Sequence, residues 1–285
     1  MASIGISVRP AVIDSEVIDS EVIDPVGHGT IGTLTIDNPG RRNAMNSAMY
    51  LAVPDAMAAL AAEPDLRCIV IRGAGDEAFS AGSDISEFPN RRMGRATDGS
   101  SKAEGYDNAE HEAWAAIANA RVPVIAAIHG PCRGGGIAIA LHADIRIAGA
   151  DATFAVPPAS LGLAYPIEAT ERLVSLIGPA TAKSLLFTAR VVDAEAALRI
   201  GLVQEVVPEA ELNAHVDRLT DQIARLAPLS IKAAKVQIDA ISAAAGAAVD
   251  LVNIKAHARA CYDSADFKEG VAAFMQKRRP HFRGL

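Results

Sequence analysis

The segment Val124-Ile125-Ala126-Ala127-Ile128-His129-Gly130-Pro131-Cys132-Arg133-Gly134-Gly135-Gly136-Ile137 decides the fold. Its first five residues form an apolar run of strand length. Gly130, Pro131 and the triple glycine then break the pattern, and an apolar helix is predicted from Ile137 to His142. Ala143-Asp144-Ile145-Arg146-Ile147-Ala148 reads as the next strand. Strand, glycine-rich turn, helix and strand in this order make a parallel β–α unit, so the class is α/β.

The same grammar holds on the N-terminal side. Thr30 to Asp37 reads as a strand that Asn38-Pro39-Gly40 ends, and Asn46-Ser47 can cap a helix through Met49, Leu51, Met57 and Leu60. Cys68-Ile69-Val70-Ile71-Arg72 is a short continuous apolar run, as expected of a strand buried on both faces, followed by a loop rich in Gly and Ser to Asp84. Residues 89–107 are rich in charge and glycine and read as a mobile surface loop, with a helix from about Ala109 to Ala120 after it. Beyond Pro208 the pattern is helical to the C-terminus, with Leu212, Val216, Leu219 and Ile223 on one face. Val12-Ile13-Asp14-Ser15-Glu16 recurs as Val17 to Glu21 and, in part, as Val22-Ile23-Asp24-Pro25. These pentads are too few and too short for a solenoid, so residues 1–28 read as an extension, 29–208 as the core and 209–285 as a helical assembly region.

Composition bounds the function. The 285 residues are 50% hydrophobic and 21% charged, which is enough apolar material for a sizeable core. The formal charge of -7 disfavours a nucleic-acid partner, and the one basic cluster, Lys277, Arg278 and Arg279, is short. No apolar run is long enough to span a membrane, Met1 to Arg9 lacks the pattern of a signal peptide, and Cys68, Cys132 and Cys261 are widely spaced and odd in number. A cytoplasmic protein with reduced thiols is expected.

Two places can carry chemistry. A strand that ends in Gly134-Gly135-Gly136 before a helix leaves unpaired backbone N–H groups at the positive helix end, where an anion or a developing oxyanion is stabilised. Tight helix–strand packing explains the glycines equally well. The second place is Phe79-Ser80-Ala81-Gly82-Ser83-Asp84. Gly73-Ala74-Gly75-Asp76-Glu77-Ala78 loosely matches a dinucleotide-binding loop, but Gly82 breaks the helix that should follow. Ala78 to Gly82 imitates a nucleophile elbow, yet seven residues separate Arg72 from Ser80. Both rank as minor alternatives. His111-Glu112 lacks the second histidine of a zinc motif, so no metal site is predicted, and His129 reads first as a structural histidine.

Taken together, Ile36-Asp37-Asn38-Pro39, Arg42-Asn43-Ala44-Met45, Ala78 to Asp84, Gly134-Gly135-Gly136, Leu161-Gly162, Thr170-Glu171-Arg172-Leu173 and the run from Ala194 to Val203 resemble the crotonase superfamily of enoyl-CoA hydratases and isomerases. The likeness covers nearly everything from residue 29 onward. It implies a spiral of ββα units with a helical C-terminal trimerisation region, trimers paired into hexamers, and an acyl-CoA as substrate rather than as a held cofactor. It also implies an oxyanion hole built from the backbone N–H groups of Ser83 and Gly135. Arg42, Ala44, Ala81, Asp84 and Ile85 fall at positions that neighbour CoA, residues 89–107 would border the acyl pocket, and Lys277 to Arg279 could meet a CoA phosphate of a neighbouring subunit.

The chain departs from that pattern where hydratases of the family carry two glutamates. Those places hold Ala138 and Pro158, neither of which can move a proton. Pro158-Ala159-Ser160-Leu161-Gly162-Leu163-Ala164-Tyr165 instead resembles methylmalonyl-CoA decarboxylases, although Pro157 stands where they have a hydroxyl residue. The candidates to donate or accept a proton are Tyr165 first by position, then Glu168, Asp84 and His129. The expectation is an acyl-CoA enzyme working through an enolate-like intermediate without the two-glutamate mechanism. Its alternatives are an unorthodox hydratase, a decarboxylase or isomerase, and a non-catalytic acyl-CoA binder.

Overall fold

The structure is a computed structural model that describes residues 2–11, 29–91, 102–244 and 251–285. In chain order its elements are β1 (Ser3–Pro10), β2 (Thr30–Asp37), α1 (Ser47–Ala61), β3 (Leu66–Gly73), α2 (Phe88–Arg91), α3 (Lys102–Ala118), β4 (Val124–Ile128), β5 (Pro131–Arg133), α4 (Gly135–His142), β6 (Ile145–Gly149), β7 (Thr153–Ala155), α5 (Ile167–Thr188), β8 (Val192–Asp193), α6 (Ala194–Arg199), β9 (Glu205–Val207), α7 (Leu212–Ala224), α8 (Pro228–Ala244), α9 (Leu251–Asp263) and α10 (Ala265–Met275).

The main sheet runs β1-β2-β3-β4-β6-β9, with β1 antiparallel to β2 and every later pair parallel. A small second sheet, β5-β7-β8, stands beside it. The apolar runs of β3 and β4 are continuous because both faces are covered. Ile69, Ile71, Ala126 and Ile128 enter one core with Tyr50, Phe79 and Trp114. Cys68, Val70, Ile125 and Ala127 enter another, capped by Leu212 and Val216 of α7. Asn46 caps α1 as its sequence predicts, accepting the Met49 N–H at 2.9 Å.

Three features differ from the sequence expectations. Helix α3 begins at Lys102 rather than near Ala109, because Tyr106 already belongs to its buried stripe and packs edge-on against Tyr50 and Phe88. Residues 92–101 of the expected mobile loop, like the pentad repeat, lie outside the described residues. Residues 3–10 add an edge strand to the sheet, an element the alternation of so short a segment did not declare. Helix stops at Met275, and the last residues fold back, so that Asp266 accepts the N–H groups of Arg283 and Gly284. Within this tail Arg278 forms an ion pair with Glu269, which holds that carboxyl down at about 2. Among the described residues no helix is long and apolar enough to cross a membrane.

Helices α3 and α4 meet through a stack of Trp114 on His142, with ring centroids 5.6 Å apart. His142 Nδ1 lies 2.7 Å from the Ala138 carbonyl, which fits the tautomer with Nδ1 as donor. Burial is the main cause that pushes the imidazole down to about 4, partly opposed by this bond. An unfolded histidine takes its proton near pH ~6.5. Between those values the unfolded chain binds more protons, so this contribution is complete above pH ~6.5 and shrinks as acid is added. His142→Gln should therefore flatten the fall in stability between pH 7 and pH 5, by about 2 kcal/mol relative to wild type, in urea titrations at the two pH values. Parallel falls in the two proteins would show that His142 is not the titrating group.

Candidate active site

The site begins with a left-handed residue. Asn43 has φ 56° and is almost fully buried. Its side-chain oxygen accepts from Asn38 N–H at 2.9 Å, while its Nδ2 donates to the carbonyls of Ala74 (2.9 Å) and Ala78 (2.7 Å). The loop after β2 is thereby fastened to the loop after β3. Ser80 adds a second tie by donating its hydroxyl to the Asn43 carbonyl at 2.8 Å.

This fastening lets Met45 and Ser83 form an isolated parallel bridge. Met45 N–H donates to the Gly82 carbonyl (2.8 Å), and Asp84 N–H donates to the Met45 carbonyl (2.7 Å). Because successive peptide groups of an extended chain point to opposite sides, the N–H of Ser83 faces away from Met45. There it meets the start of α4. Gly134 turns at φ +44°, its N–H donates to Ala155, and Gly135 opens the helix with its own N–H outside the intrahelical ladder. A Cβ placed on Gly135 would lie 3.2 Å from the Ser83 nitrogen and 2.7 Å from its Oγ, and would run into the Tyr50 hydroxyl. One on Gly82 would lie 3.3 Å from the Gly135 nitrogen and 2.8 Å from the Arg133 carbonyl. Both positions need glycine because the two loops approach main chain to main chain.

Ser83 and Gly135 share the wall of a cavity of about 90 Å³ with Glu110, Trp114, Pro158 and Tyr165. Glu110, on α3, is 3% exposed and accepts the Ser83 hydroxyl at 2.6 Å. The Ser83 proton being used there, the Tyr50 phenol donates to Ser83 Oγ at 3.0 Å. Burial first, and the Glu110 charge next, raise Tyr50 well above the usual phenol range. Tyr165 is raised likewise, by burial first and then by its Cys132 and Glu110 neighbours, and its hydroxyl donates to the Gly134 carbonyl at 3.1 Å.

The sequence profile described as Enoyl-CoA hydratase/isomerase matches residues 27–284. The chain belongs to the enoyl-CoA hydratase/isomerase family. It is 34% identical to a crotonyl-CoA hydratase from Syntrophomonas wolfei over 88% of this chain and 94% of that protein. It is also 32% identical to the methylmalonyl-CoA decarboxylase of Escherichia coli over 87% and 92%. A crystal structure of a family protein from Hyphomonas neptunium superposes with a TM-score of 0.86 at 32% identity, covering 99% of this chain and 98% of that one.

Within this crotonase-type fold, the residues singled out from the sequence divide sharply. Ser83 and Gly135 come together, Tyr165 faces them, and Ala81 and Ile85 lie on the same wall. Arg42 is exposed beside them, its carbonyl accepting Ala81 N–H at 2.8 Å, whereas Ala44 is buried. Asp84 is turned inward, held by Arg41 at 3.1 Å and by Ser86. Glu168 does not line the cavity; it pairs with His111 at 3.2 Å on the first turn of α5. His129 lies outside the cavity too, lowered by burial against the pull of Asp151, Glu209 and Asp76. Ala138 and Pro158 bring no carboxylate. Glu110 was missed, although its signal is present: at i+4 from Tyr106 and i−4 from Trp114, a charge sits on the apolar stripe of an amphipathic helix.

Two substitutions test this construction. Asn43→Ala strands two carbonyls and one amide and removes a side chain suited to a left-handed backbone, so urea unfolding should register a loss of about 2–4 kcal/mol. Gly135→Ala fills the space between the two amides. It should lower kcat by about 10²-fold or more on any thioester the protein turns over, and, because the added Cβ also runs into the buried Tyr50 hydroxyl, lower the melting temperature as well.

Proposed function

We propose that the protein is an acyl-CoA enzyme that holds the thioester oxygen between the N–H groups of Ser83 and Gly135 and works through an enolate-like intermediate, without the two-glutamate hydration mechanism. The observation that carries this reading is the approach of those two amides across one cavity wall. In an enolate the negative charge sits largely on oxygen, so donors fixed at that point bind the intermediate more strongly than the ground-state ester. One such donor is worth about 2.7–4 kcal/mol in other enzymes. As both donors are main-chain groups, a serine at position 83 costs the hole nothing.

Half-exposed Ile85 on that wall, and exposed Arg42, whose carbonyl accepts the N–H of the wall residue Ala81, suit the CoA portion, and CoA is substrate rather than resident cofactor. Exposed Phe267, Val271, Phe274 and Met275 on α10 suit assembly of the helical region into trimers and hexamers. A cytoplasmic location fits the thiols of Cys68, Cys132 and Cys261, all free. A second reading, decarboxylation of a malonyl-type thioester, is favoured by one observation: Pro158 and Tyr165, which resemble the decarboxylase pattern, both line the cavity.

Crotonyl-CoA, a 3-enoyl-CoA and methylmalonyl-CoA, each incubated with the purified protein and resolved by chromatography, separate the possibilities. Product from the 3-enoyl ester is expected. Product from methylmalonyl-CoA alone would favour the second reading, and binding of all three without product would reduce the protein to a binder.

A further inference from the structure

Enolate chemistry at a thioester needs a group that takes or returns a proton beside the carbonyl, and the two positions that supply carboxylates in hydratases of this family are here apolar. We propose that Glu110 of α3 is the carboxylate that carries the proton to and from the substrate carbon next to the thioester carbonyl. The inference rests on the acyl-CoA reading and adds its acid–base residue.

Three observations converge on Glu110. It is the one carboxylate, and with the Tyr165 phenol one of only two titratable side chains, among the described residues lining the cavity. Its Oε1 is a single 2.6 Å hydrogen bond from the hydroxyl of Ser83, the residue whose amide receives the thioester oxygen. The Tyr50 phenol donates to Ser83, and Ser83 donates to Glu110, so the donors point in series at a carboxylate and keep it an acceptor. Tyr165 is less suited to the task. Its hydroxyl is spent on the Gly134 carbonyl, and losing its proton in this buried place beside a carboxylate is unfavourable.

The step balances without a co-reactant. The bond from hydrogen to the α-carbon breaks, its electron pair moves into the carbon–carbon bond, and the carbonyl electrons move onto the oxygen held by Ser83 and Gly135. The proton goes to a Glu110 oxygen. Returned to the α-carbon it gives back the starting ester; returned to the γ-carbon of an unsaturated chain it moves the double bond.

Exchange of the α-hydrogens of butyryl-CoA in deuterium oxide, followed by mass spectrometry, reads this step alone, because butyryl-CoA has no further reaction to undergo. Calorimetric titration with butyryl-CoA tests the thioester reading separately. The wild type is expected to bind the ester and to incorporate deuterium. Glu110→Gln keeps an oxygen that can accept from Ser83, so a merely positioning role would survive it. We expect instead a loss of exchange of about 10²-fold or more with binding changed less than about threefold. Glu110→Asp, which withdraws the carboxylate by one methylene, should bind as before and exchange at least about tenfold more slowly; it decides the matter if the Gln variant does not fold. Exchange at the wild-type rate in either variant overturns the proposal, as does a wild type that binds butyryl-CoA without exchange, which leaves the thioester reading standing. A wild type that binds no ester overturns both.

Discussion

The Met45–Ser83 bridge is the contact on which the site depends. An amide inside a protein normally finds a carbonyl, and leaving one without a partner costs about 1–3 kcal/mol. Two such amides side by side persist only if the chain around them is overdetermined. Here Met45 takes the groups on either side of Ser83, Ser80 pairs with β5 through Pro131 and Arg133, and Tyr165 secures the carbonyl before Gly135. The glycines at 82 and 135 admit the approach, but the hydrogen bonds around them fix it.

That division explains how much the sequence alone could disclose. Buried parallel strands announce themselves, since β3 and β4 must be apolar on both faces, and a capped helix such as α1 carries its own start signal. The pair of amides was expected only through the family resemblance, since the glycines by themselves fit tight helix–strand packing equally well; their close approach at 82 and 135 is visible in the structure. The start of α3 was hidden by Lys102, Glu104 and Gly105, whose types suggest a loop; only the packing of Tyr106 on Tyr50 and Phe88 outweighs them. Strand β1 pairs with only one strand, β2, and is fastened by Arg9 to Asp217 and Asp221 of α7, contacts distant in sequence, and short edge segments carry little periodic signal. Glu168 and Asp84 were plausible acids by position, yet each was already engaged, with His111 and with Arg41 and Ser86. Sequence order cannot report such neighbours.

On the proposal made for Glu110, the site would keep its pair of amides while its acid–base group sits on a different element. The two amides belong to loops tied to one another by backbone hydrogen bonds through Met45, Gly82 and Asp84 and through Ser80, Pro131 and Arg133, so their positions are fixed by several contacts at once. A carboxylate needs only a backbone position facing the same cavity, and α3 passes within one hydrogen bond of Ser83. The stack of Trp114 on His142 pins that helix to α4, the helix that Gly135 opens. Glu110 and Gly135 therefore sit on elements packed directly against each other, as the proposed division of proton carrier and oxyanion hole requires.

The same carboxylate bears on the acyl group. Loss of carbon dioxide from a malonyl-type thioester requires the departing carboxylate to sit beside the α-carbon, close to where Glu110 acts. Two negative charges about 4 Å apart oppose each other by about 4 kcal/mol at the effective dielectric of a protein site. A cation on the wall would offset this, but none of the described lining residues is Lys, Arg or His; Phe88, Trp114, Leu161 and Leu163 line it instead. Decarboxylation also generates its enolate without a base, so it leaves a buried carboxylate at the hole with nothing to do at that step. The proposed transfer of a proton within an uncharged acyl chain instead suits this lining: two amides for the oxygen, apolar side chains for the chain, and one carboxylate for the proton, with the Tyr165 phenol held on the Gly134 carbonyl.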